Sequence, residues 1–151
     1  MLTFLTGSSI GSRKIAIEII QWLFFLLFVY SAADKLMDFG KFKLELGKSP
    51  ILTHYSIYIA YAIPPMELII AILVILPRTT LFGLYASFLL MTSFTAYIFF
   101  LVNYGEYIPC SCNGILRGAS WNEHLIFNII FVLLGAIGIL LKSNHNSYKN
   151  V

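Results

Sequence analysis

Residues 15–33 read IAIEIIQWLFFLLFVYSAA, nineteen positions from Ile15 to Ala33 interrupted by Glu18, Gln21 and Ser31. At about 1.5 Å of rise per residue, roughly 20 apolar residues span the hydrocarbon core of a bilayer. The stretch therefore reads as a membrane-spanning helix. A secretory signal peptide is the rival, with Ser31-Ala32-Ala33 as the cleavage site. The run outlasts a usual signal core of about 7–15 residues, and helical sequence continues through Asp34, Lys35, Leu36, Met37, Asp38 and Phe39, which favours the span.

Working outward, the same composition holds throughout. The 151 residues are 59% hydrophobic and 11% charged, with mean hydropathy +0.84. A soluble domain carries roughly 25% charged residues, so these few cannot coat a water-facing surface and a lipid bilayer is the expected surrounding. The net charge of +3 is small and scattered, with no basic run, so nucleic acid is not an expected partner. Met1 to Ser12 reads as a short polar lead. Beyond the first span, Gly40 to Pro50 carries Lys41, Lys43, Glu45 and Lys48. Phe39, Phe42 and Leu46 there share one helical face, so the segment is either an amphipathic helix in the interface or a solvated loop.

Three further spans follow, at 51–76, 80–102 and 121–141. Pro64-Pro65 falls near the middle of the second, where proline removes backbone donors and usually kinks a helix. Pro77-Arg78-Thr79 predicts a tight turn into the third span, where Gly83, Ser87, Met91 and Thr95 recur at steps of four and suit close helix packing. Ser120 and Glu123 have capping-box spacing at the start of the fourth span, in which Gly135 and Gly138 suit packing. Lys142 to Val151 reads as a frayed polar tail. Trp22, Trp121, Tyr104 and Tyr107 read as interfacial anchors, and His54 as solvated. The expected fold is all-α, a single-domain four-helix membrane bundle.

Four spans put both termini on one side and the loop 103–120 on the other. Arg13, Lys14, Arg78, Lys142 and Lys149 balance Lys35, Lys41, Lys43, Lys48 and Arg117, so the positive-inside rule is tied. The termini are expected in the cytoplasm, partly because Arg13-Lys14 flank the first span, and the long loop outside it.

That loop holds both cysteines, Cys110 and Cys112, bracketed by Pro109 and Asn113-Gly114 with their turn chemistry. A Cys-x-Cys disulfide closes a smaller ring than Cys-x-x-Cys, and a strained disulfide is easier to reduce. Thiol–disulfide exchange is the expected use, with Arg117 available to favour the thiolate. A soft ion such as Cu(I), held by the two sulfurs and His124, is the rival; zinc lacks a fourth ligand. Glu67 lies well inside the second span, where an acid costs at least about 2.5 kcal/mol unless it is paired, protonated or hydrated. Tyr97, Asn128 and Tyr61 are its candidate partners, and its role is a proton relay or an interhelical contact. Asp34 and Lys35 close the first span, as a surface pair or as charges near the thiols. No phosphate loop, Ser-His-Asp set, HExxH or haem signature is present in the sequence.

In order along the chain, Ser31-Ala32-Ala33-Asp34-Lys35-Leu36 with Phe39 and Phe42, then Ile63-Pro64-Pro65-Met66-Glu67, Phe94-Thr95-Ala96-Tyr97, Pro109-Cys110-Ser111-Cys112-Asn113-Gly114 and Trp121-Asn122-Glu123-His124-Leu125 resemble the MauE/DoxX-type redox-associated membrane proteins. The Cys-Ser-Cys-x-Gly segment is the most specific part of the likeness. The resemblance implies a four-helix protein of the bacterial inner membrane that assists disulfide or thiol chemistry outside the cytoplasm. Cys110 and Cys112 would be the redox pair, with Asp34, Lys35, Glu67 and His124 as further family positions. A second cysteine pair, usual in membrane thiol oxidases, is missing, so the chain would need a thioredoxin-like or other extracytoplasmic thiol partner. The residues name no cofactor; a quinone is a candidate electron acceptor. The alternative is a non-enzymatic subunit of a larger membrane complex.

Overall fold

The computed structural model describes residues 2–48, 52–104 and 121–149, with side chains for 11–48, 52–104 and 122–144. The expectation of an all-α membrane bundle is met. Helices α1 (Leu2–Met37), α2 (Phe39–Lys48), α3 (Ser56–Ile75), α4 (Thr80–Tyr104) and α5 (Trp121–Lys149) make up the described chain, with a short 3-10 turn at Thr53–Tyr55. Among the described residues, four segments are long and apolar enough to cross a bilayer: Gly11–Met37, Thr53–Ile75, Thr80–Tyr104 and Asn122–Asn144. Their outward side chains include Leu26, Ile69, Phe82, Leu89, Ile130 and Leu140, all exposed. Such a belt would be a liability in water and suits acyl chains.

The terminal helices run past the expected limits. Helix α1 begins at Leu2 and α5 continues to Lys149, rather than leaving a polar lead and a frayed tail. Neither extension contains a proline, and propagating a helix costs little once a long nucleus exists. Trp22 is a correction as well: it lies mid-way along α1, facing outward, and not at a helix end. His54 is exposed, as expected.

The spanning helices form a ring in chain order. Helix α1 packs on α3, α3 on α4, α4 on α5, and α5 back on α1. The turn after α3 closes through the Thr79 amide donating to the Leu76 carbonyl at 3.1 Å. Thr79 and Thr80 hydroxyls cap nearby carbonyls, of Leu73 at 3.0 Å and of Leu76 at 2.9 Å. Just past this turn, a Cβ on Gly83 would sit 2.5 Å from the Val74 nitrogen. Only glycine lets α3 and α4 touch backbone to backbone there. At Gly138, α5 takes side chains of α1 and α4 against its backbone instead, with Ile20 3.1 Å and Leu84 3.3 Å from a built Cβ. Phe24, Phe28, Phe131, Val74, Leu84 and Met91 fill the centre.

Helix α3 continues through Pro64-Pro65. Helix α2 resolves the choice left open by the sequence. It is helical, and Phe42 and Leu46 are buried against Ala60, Ile59 and Ile63 of α3, so its apolar face is covered by protein.

Candidate functional site

The buried stripe of α1 runs through Phe24, Phe28 and Ala32 to Lys35, at steps of four, four and three. That of α3 runs through Ala60, Pro64, Glu67, Ala71 and Val74. Helical periodicity thus carries one cation and one acid into the interior among apolar neighbours. Lys35 lies near the C-terminal end of α1, but side chains lean toward the N-terminus of their own helix. The lysine therefore points back into the bundle, while Glu67, near the middle of α3, leans toward the end where α1 stops.

They meet at 2.8 Å, Lys35 Nζ to Glu67 Oε1, with the lysine 7% and the glutamate 0% exposed. Ser31, one turn before Lys35, completes the cluster. Its hydroxyl donates to Glu67 Oε1 at 3.0 Å, and Lys35 Nζ donates to the Ser31 carbonyl at 3.4 Å as well as to its hydroxyl. The three ammonium protons match these three acceptors. The rings of Phe42 and Phe94 stand 5.8 Å from the same nitrogen, close enough for cation–π attraction. The expected partners of Glu67, namely Tyr97, Asn128 and Tyr61, are thus replaced by Lys35 and Ser31. Tyr61 faces outward and packs on Phe39, with ring centroids 4.8 Å apart. The surface pairing of Asp34 with Lys35 is also corrected, because the lysine is buried on Glu67.

Lys35 and Glu67 line a cavity of about 300 Å³ bounded by α1, α2, α3, α4 and α5. Asp34, Met91, Tyr97, His124 and Asn128 also border it. His124 and Asn128 are buried on the stripe of α5 that continues through Phe131 to Gly135 and Gly138. Helix α2 adds Phe42, Glu45 and Leu46 to the chamber. Glu45 is buried, with Lys48 Nζ 3.7 Å from its Oε1. Sequence reasoning missed Ser31, Glu45 and α2 as parts of one site. The available signal was the shared stripe of Phe24, Phe28, Ser31 and Lys35.

The opposite half of the bundle is also tied by side-chain hydrogen bonds between helices. Gln21 Nε2 donates to the Thr80 hydroxyl at 2.9 Å and to the Val74 carbonyl at 3.0 Å, tying α1 to the α3–α4 turn. Cys110, Cys112, Arg117 and the Ser120 cap lie outside the described residues. Among the described residues, no three His, Cys, Asp or Glu side chains are grouped to hold a metal.

Residues 13–141 match the family model described as methylamine utilisation protein MauE. No curated protein matches the chain, and no solved structure does.

Proposed function

The chain belongs to the MauE family, and from that premise we propose that it is a thiol–disulfide protein of the bacterial inner membrane, with Cys110 and Cys112 as its working pair. The family description ties the chain to methylamine utilisation, and its client in this reading is an extracytoplasmic protein carrying thiols. The termini lie in the cytoplasm and the cysteines on the opposite side.

One observation supports this most. Helix α4 ends at Tyr104 and α5 begins at Trp121, on either side of the cysteine segment, at the same end of the bundle as the polar chamber. Leu101 and His124 beside them line it. The one chemically unusual part of the described chain thus adjoins the point where the thiol-bearing segment leaves and rejoins the helices. A partner thiolate attacks the Cys110–Cys112 disulfide and forms a mixed disulfide. The partner's second thiolate then displaces it. The partner leaves as a disulfide and the Cys110/Cys112 pair as two thiols, so two electrons and two protons have moved. Reoxidation of the pair needs a separate acceptor.

The test is a trapping experiment in intact cells. In the wild type, acid quenching is expected to trap the mixed disulfide, and Cys112→Ser, which cannot form the Cys110–Cys112 disulfide, is expected to abolish both that species and partner oxidation. A membrane-impermeant alkylating tag should label both sulfurs only after reduction. Partner oxidation unchanged in the Cys110→Ser/Cys112→Ser variant would end the reading.

A further inference from the structure

Two carboxylates of the chamber each leave an acceptor over. Glu67 Oε2 and Glu45 Oε2 are buried with no hydrogen-bond partner among the described residues, and both carboxylates border the chamber. A buried acceptor left unmet costs the desolvation of that group, so such atoms point to something that donates to them. The Asn128 side-chain amide, on a third wall, adds a donor.

The space is far larger than a single water requires, and a buried water needs two to four polar partners. Most of this wall is hydrocarbon: Phe28, Phe94 and Phe127 present rings, with aliphatic side chains between them. Pockets of about 300 Å³ and above take small organic ligands, held by apolar walls and a few placed polar groups. The chamber lies among membrane-spanning helices, so a ligand that dissolves in lipid reaches it most readily.

We propose that the chamber binds the ring of a membrane-soluble quinone. A flat ring suits walls of phenylalanine. Its oxygens accept hydrogen bonds when oxidised, as from the Asn128 amide, and donate them when reduced, as to Glu67 Oε2 and Glu45 Oε2. A site offering both kinds of group holds both redox states. The quinone's role as electron acceptor rests on the thiol reading above; its binding does not. In that role the reduced Cys110/Cys112 pair gives up two electrons and two protons and becomes a disulfide, and the quinone becomes the hydroquinone.

The experiment is calorimetric titration of the full chain in detergent with decylubiquinone, and with 1-phenyldecane as a ring without oxygens. One equivalent of decylubiquinone should bind to the wild type and equally to Cys110→Ser/Cys112→Ser. Affinity should fall at least tenfold in Asn128→Leu and in Ile63→Trp, which fills the chamber from α3. Failure of the wild type to bind, equal binding of 1-phenyldecane, or unchanged affinity in both variants eluting as the wild type would overturn the site. Loss of the site in this way leaves the trapped mixed disulfide untouched. Binding without reduction of decylubiquinone by the reduced protein would instead remove the acceptor role and keep the site.

Discussion

Near the α3–α4 turn, Gly83 brings two backbones into contact and Phe24, Val74 and Leu84 leave little space. Toward the other end of the same helices, Lys35, Glu67 and Ser31 border a cavity of about 300 Å³. Both regions are built on the same periodic stripes. The difference is in side-chain size and charge: small residues draw helices together at one end, while a long lysine, a glutamate and an overlying α2 accompany the space at the other. Helix association in lipid relies on close packing and interhelical hydrogen bonds, because lipid tails are as apolar as the side chains. The closed half can thus hold the bundle while the open half carries the groups that close packing would exclude.

The largest effect expected to break this contrast is at Glu67. Removing one member of a buried ion pair leaves the other charge uncompensated and costs about 3–5 kcal/mol. Glu67→Ala should therefore lower the detergent-unfolding midpoint sharply. In the closed half, Gly83→Ala places a methyl group against the backbone of Leu73 and Val74. Overpacking of this kind costs typically about 1–3 kcal/mol, measured in the same assay. Gln21→Leu gives up two hydrogen bonds to the α3–α4 turn, at about 1 kcal/mol net for a bond of this type. Thr80 keeps its contact with the Leu76 carbonyl, which limits that loss.

The smallest change in stability is expected from Lys35→Met/Glu67→Met. Replacing a whole buried pair by apolar groups of similar volume is often neutral or stabilising. The midpoint should stay near that of the wild type, and a double-mutant cycle should show strong coupling between the two sites. A large drop in the double variant would mean that the pair holds the bundle together, and the division between the two halves would fail.

Much of the architecture was legible in the chain because a bilayer makes length and hydropathy decisive. The tight turn at Pro77-Arg78-Thr79 and the close packing at Gly83, Gly135 and Gly138 were readable for a related reason: proline and small residues act locally. Glu67 was legible as an acid in need of a partner, but the partner was not. Lys35 follows the apolar run and looks like a surface charge in the sequence. It is buried because α1 continues to Met37 and the lysine leans back along it. Helix α2 was ambiguous because an apolar stripe looks the same whether lipid or protein covers it.

Sequence alone determined the all-α class, the four apolar spans, the neighbouring cysteines and the presence of an acid inside the second span, since each depends on residue type and spacing along one segment. Tertiary structure decided that Lys35 and Ser31 meet Glu67, that α2 docks on α3, and that a chamber stays open between them. These depend on how each helix is rotated about its axis against its neighbours, a property of several segments together that no single one encodes.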